Sequence, residues 1–317
     1  MLSNPRSWYS QAVLYTSAFT GLCAQTESSG QELKSVLEKE SSPLVLPILR
    51  SQLSSTPGLS NAALPARTKE LEGNLAQVTR IETANFLITA ESRSLAETIA
   101  TLAESHRKSI ATEWLGQELP QWPEPCPIQV TLAHDNYGDT SYELQEQEDG
   151  SFKPTAWECK IHGSLERLQD SVLPHELVHM ILASHFQQRI PRWADEGIAL
   201  SVEHASVQQK IQDKLAKLLT DSPERSLSVK RLLTLKDYPT DFMPVYLEGY
   251  SVANFLIEKQ GKRYFVNFLE ASMPGAYRNS FPSPRWERSL QQYYGIESVE
   301  ELEIQWRAWL QPGKQEN

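Results

Sequence analysis

The sequence predicts an α+β fold, with strands gathered before residue 163 and helices after it. Three observations carry this reading. "FLI" within "ETANFLITAES" (82–92) and "CPIQVTLAH" (126–134) are short apolar runs suited to strands. "TAWECKIHG" (155–163) alternates, with Trp157, Cys159 and Ile161 on one face and Glu158, Lys160 and His162 on the other. From "SLERLQDSVLPHELVHMILASHF" onward, apolar residues recur at helical spacing. Strands followed by helices, with no internal repeat, give an α+β arrangement rather than an alternating one.

Taken in order, the first 24 residues read as an export signal cleaved after Ala24, with a cytoplasmic tail as the alternative. Residues 25–75 are rich in Ser, Pro and small side chains, and read as a linker or loosely ordered segment. One domain is expected over 76–311, with a sheet-bearing lobe at about 76–186, a helical lobe at about 187–311 and a tail at 312–317. After the strand at Phe86–Ile88, "SLAETIATLAESHRKSIATEWLG" places Leu95, Ile99, Leu102 and Ile110 at helical spacing. Asn136 to Asp139, around Gly138, read as a turn, and residues 134–156 as a loop. The next helix is expected to break near Ser171, whose side chain caps a new start with Pro174 in its first turn. "PRWADEGIALSVEHAS" is a further helix. Ser298 and Glu301 have capping-box spacing ahead of "LEIQWRAWL".

Composition excludes some functions. The 317 residues carry 30 Lys and Arg against 40 Asp and Glu, a net charge of −10, without a dense basic stripe, so no nucleic-acid partner is expected. No run approaches eighteen apolar residues, so no transmembrane segment is expected. Cys23 would leave with a signal peptide, and Cys126 and Cys159 would remain as a pair able to form a disulfide in an exported protein.

Chemistry concentrates in residues 173–197. His175 and His179 lie one helical turn apart, about 6 Å along the axis, so both imidazoles can reach one tetrahedral ion. Glu176, between them, is placed beside a water rather than among the ligands. A third donor is needed, and "PRWADEGIALSVE" supplies two carboxylates. Asp195 and Glu196 point about 100° apart on a helix, so one coordinates.

Here the sequence resembles the gluzincin metallopeptidases of the peptidase MA-like family, whose second helix carries W-x-x-E-G-x-A. Trp193, Glu196, Gly197 and Ala199 match that pattern. The resemblance spans roughly residues 80–310. It implies a zincin-like fold with a small N-terminal sheet, an edge strand, an active-site helix and a helical C-terminal lobe. It also implies one zinc ion per chain on His175, His179 and Glu196, with Asp195 orienting a ligand histidine. Glu203, two turns beyond Glu196, could share its face, but a solvated side chain is the simpler reading. "YLEGYSVANFLIEKQG" resembles the family's Y-x-x-G segment, which implies an oxyanion donor at Tyr246, with Tyr250 as its nearest competitor; core packing is the alternative for both. The strand of Trp157, Glu158, Cys159, Lys160 and Ile161 resembles the edge strand that pairs with extended substrate. There is no G-x-M-E-N segment, and no catalytic histidine is assigned, although His162, His185 and His204 are available.

The expected function is therefore zinc-dependent endopeptidase chemistry on a peptide or protein substrate, with Glu176 as the base. The competing expectation is a catalytically silent zincin-like binding or cell-envelope protein. Export to the periplasm or outside the cell is expected if the N-terminal segment is a signal.

Overall fold

The computed structural model describes residues 12–17, 78–149, 151–235, 239–273 and 285–311. The chain divides into two compact units, residues 20–78 and the remainder, and the elements described here all belong to the remainder. The expected linker, the tail and most of the expected export signal lie outside the described residues.

The fold is α+β. The strands are β1 (Ala12–Ser17), β2 (Thr79–Glu82), β3 (Phe86–Ala90), β4 (Cys126–Leu132), β5 (Tyr137–Glu146) and β6 (Phe152–Gly163), in the sheet order β1-β5-β6-β4-β3-β2. Alternation sets their faces. Phe86, Ile88, Ile128, Val130 and Ile161 turn inward and are buried in the main core. That core also holds Ala96, Ile99, Ala103 and Trp114 of α1 (Arg93–Leu115). Ser92 caps α1 by accepting the Leu95 amide, and Gly116 ends it at φ 82°, a left-handed conformation in which a side chain would be strained.

Two expectations about β6 are corrected by its neighbours. β6 is parallel to β4 through Gln129–Lys160 to Leu132–Gly163, and antiparallel to β5 on its other side. Lys160 and Ile161 are therefore paired on both sides and offer no free edge for substrate, whereas for Glu158 and Cys159 the pairing is with β5. The same pairing sets Lys160 opposite Gln129, three residues along from Cys126, so the cysteines are offset rather than facing. A disulfide needs Cα atoms roughly 4.4–6.8 Å apart with converging side chains. Both cysteines are instead buried free thiols, and burial pushes the Cys126 thiol up to about 12.

The turn expected at Asn136–Asp139 is also corrected, because Tyr137 already begins β5. Further along, the β5–β6 pairing shifts register between Ser141 and Glu143, opposite Ala156 at φ 51°.

The expected break at Ser171 does not occur. A helical turn at Leu165–Arg167, capped by Ser164, runs into a π-helical turn at Leu168–Val172 and then into α2 (Leu173–Phe186). Ser171 donates its hydroxyl to Asp170 and does not cap. The looser winding accommodates Pro174 instead, since the Leu173 amide reaches back five residues to the Leu168 carbonyl.

A tight turn with Gln187 at φ 51° leads to α3 (Arg192–Ser201). The helical region continues through α4 (Ala205–Asp221), α5 (Val229–Thr234), α6 (Met243–Gln260), α7 (Lys262–Ser272), α8 (Trp286–Tyr294) and α9 (Val299–Trp309). Helices α3 and α6 pack at close range because each offers a glycine. A Cβ on Gly197 would sit 2.7 Å from that of Ala253, and one on Gly249 would sit 2.9 Å from Trp193 Cα. Ser298 caps α9 by accepting the Glu301 amide at 3.0 Å, as its spacing suggests. Among the described residues, no helix is long and apolar enough to cross a membrane.

Candidate metal centre

Helix α2 is apolar nearly all round, with Leu173, Leu177, Val178, Ile181 and Leu182 in the core. Packing against α3 is what buries the two histidines with their acidic partners. Relative exposures are 4 % for His175, 1 % for Glu176, 2 % for His179 and 1 % for Glu196, so these groups must satisfy one another or a ligand.

Their geometry converges. Glu196 Oε2 lies 3.6 Å from His175 Nε2 and 3.9 Å from His179 Nε2. One donor atom from each residue falls within 4.8 Å of the others. A tetrahedral ion with bonds of about 2.0–2.1 Å holds its donors about 3.4 Å apart, so small side-chain shifts would close the set. The rings stand 5.0 Å apart and are steeply inclined. Among the described residues, His175 Nε2 completes no hydrogen bond.

The opposite ring nitrogens are committed. His175 Nδ1 lies 2.7 Å from Glu203 Oε1, and His179 Nδ1 lies 3.0 Å from Asp195 Oδ1. Each carboxylate accepts the Nδ1 proton, so that in the neutral ring the Nε2 lone pair faces inward. Burial opposes charge on both rings, yet Glu196 and Glu203 carry His175 well above the ordinary imidazole range, and Asp195 and Glu196 raise His179. The reading of Glu203 as a solvated side chain is therefore corrected: its side chain is 10 % exposed and holds a ligand-type histidine. The available signal was its spacing of seven residues from Glu196, although Glu203 itself lies just past the end of α3 at Ser201.

Glu176 sits beneath β5. A Cβ on Gly138 would come within 2.2 Å of Glu176 Oε1, so the carboxylate occupies space that any other residue at 138 would claim. Burial raises the Glu176 pKa, and the two neighbouring histidines counter part of that rise. β5 also brings Asp139 near the site, its carboxyl lifted to about 6 by burial and by Glu176. The sequence reading had missed both β5 contributions by treating this stretch as a turn.

No family model matches the chain, and no curated protein is significantly similar to it.

Of the two tyrosines, Tyr250 is placed differently from an oxyanion donor. Tyr250 is buried, its hydroxyl donating to Gln208 Oε1 and accepting from Asn254 Nδ2, both at 3.2 Å. That commitment to α4 and to its own helix does not suit an oxyanion donor. Tyr246 is packed with Leu200, Ile211, Leu215 and Leu218 and stands edge-on to Phe242. Core packing is what the structure displays for both. The three spare histidines are likewise occupied: His162 stacks on Tyr137 and lies 3.4 Å from Asp135, His185 bonds Glu270 at 2.6 Å, and His204 caps α4.

Proposed function

We propose that this protein is a zinc metallopeptidase with a zincin-like fold, hydrolysing peptide bonds as an endopeptidase. One observation carries the reading: His175, His179 and Glu196 turn donor atoms to one buried point, while Asp195 and Glu203 hold the far nitrogens of both rings. Such outer carboxylates fix ring orientation and tautomer, which is what a metal-ligating histidine requires.

The donor chemistry suits zinc, since two imidazoles and one carboxylate leave a fourth tetrahedral position. When bound, zinc supplies Lewis acidity and makes a water more acidic. Glu176 is the base. It takes the water proton and returns it to the departing amine, a role served by a buried carboxyl with a raised pKa. His175 and His179, adjacent in space, restrain that rise and keep the carboxylate usable as an acceptor.

The burial of all four groups favours a second reading, in which the same centre serves a zincin-like binding protein that does not turn over peptide. The two are separated by one experiment. Purified protein is loaded with zinc, its metal content measured, and an unbiased peptide library offered. The peptidase reading expects about one zinc per chain, cleavage, and loss of cleavage in Glu176→Gln with zinc retained. Peptide binding without cleavage in the loaded protein establishes the second reading instead. Undiminished turnover by Glu176→Gln overturns the assigned base.

A further inference from the structure

The geometry points to Thr140 as a positioning residue for Glu176, its hydroxyl holding the carboxylate beneath β5 in the orientation from which it accepts a proton. This rests on the peptidase reading of the same centre. Thr140 is two residues along β5 from Gly138, so strand alternation turns both to the inner face. At Gly138 that face meets the Glu176 carboxylate directly, because a Cβ there would overlap Oε1. Thr140 is fully buried, beside Cys159 across the β5–β6 pairing.

Its hydroxyl is a polar group that fold stability alone does not explain. Among the described residues, Thr140 Oγ1 completes no hydrogen bond, yet its nearness offsets part of the rise that burial imposes on Glu176 and Cys159. A buried hydroxyl without a partner destabilises a fold, and Val would fill the same volume without that penalty. A hydroxyl facing a buried carboxylate has a purpose if it restrains one carboxylate oxygen and leaves the other for water. Gly138 supplies the space and Thr140 the direction.

The test compares zinc-loaded full-length wild type, Thr140→Val and Thr140→Ser. Crystal structures of the three read the contact directly, independently of turnover. The wild type is expected to show a hydroxyl–carboxylate distance of about 2.5–3.0 Å, and Thr140→Val a rotated or displaced Glu176 carboxylate. Kinetics on a cleaved peptide should show kcat lowered about tenfold to a hundredfold in Thr140→Val, KM within about twofold, and near recovery in Thr140→Ser. In Thr140→Val zinc content should stay at the wild-type value and the unfolding temperature should not fall, which separates positioning from a structural role. An unmoved carboxylate in Thr140→Val overturns the inference, as does a kcat within twofold of wild type or a failure of Ser to restore it. If the wild type cleaves no peptide, the peptidase reading fails by itself, and the crystal structures still decide whether Thr140 holds Glu176.

Discussion

Glu203 and Asp195 each restrain one imidazole through a single hydrogen bond, so their loss should be felt as metal affinity rather than as folding. Replacing Glu203 by Gln is expected to weaken zinc binding about 10- to 100-fold, measured by competition with a chelator of known affinity. His175→Ala, which removes a donor outright, should abolish stoichiometric binding. Tyr250 makes the opposite prediction. Its hydroxyl joins Gln208 to Asn254, so Tyr250→Phe should cost about 0.5–1.5 kcal/mol in denaturant unfolding and leave kcat nearly unchanged. A large fall in kcat with unchanged stability would restore its catalytic assignment. Asp139 gives the pH dependence. Its folded pKa of about 6 lies above the ordinary value of 3.8, so the folded chain binds the extra proton between those limits. Stability contributed by that proton is present at about pH 4 and is lost as pH rises through 6. Asp139→Asn should flatten this limb, read as a smaller drop in melting temperature between pH 4 and pH 7.

Elements explain what the residues alone leave open. Helices α2 and α3 were legible because their apolar residues recur at helical spacing and their polar groups fall on one side. That spacing set His175 and His179 on one face, while the choice of Glu196 over Asp195 rested on the resemblance. Strand β5 was not legible. Gly138, Asp139, Thr140 and Ser141 are turn-prone or polar, and only the sheet on either side makes them extended. Missing β5 hid the neighbours of Glu176 and made β6 look like an edge. The cysteine pair failed for a related reason, since strand register is set by tertiary pairing and cannot be counted from sequence spacing. Glycine contacts offer an element-scale test. Gly138→Ala should displace Glu176 and remove turnover while zinc binding persists, whereas Gly249→Ala should force α6 away from α3 and cost about 1–3 kcal/mol. Metal content and unfolding curves for the two variants separate these outcomes.

For the whole molecule, the centre joins α2, which follows the sheet, to α3, which opens the helical region. A ligand bound across that junction favours the folded chain over the unfolded one. At free zinc about 1,000-fold above its dissociation constant, the gain is about 4 kcal/mol. Removing zinc with a chelator should therefore lower the melting temperature, and readdition should restore it. In His175→Ala the same treatment should do nothing, which ties the effect to this centre.

The π-helical turn at Leu168–Val172 has a geometric consequence for the two histidines downstream of it. An α-helix advances about 100° per residue, so the extra residue absorbed in that turn sets the azimuth of everything from Leu173 onward. Restoring ordinary winding there with every residue retained would swivel both imidazoles about 100° off their shared target, whereas deleting one residue would bring them back into phase. The bearing of both imidazoles is thus fixed before the chain reaches His175.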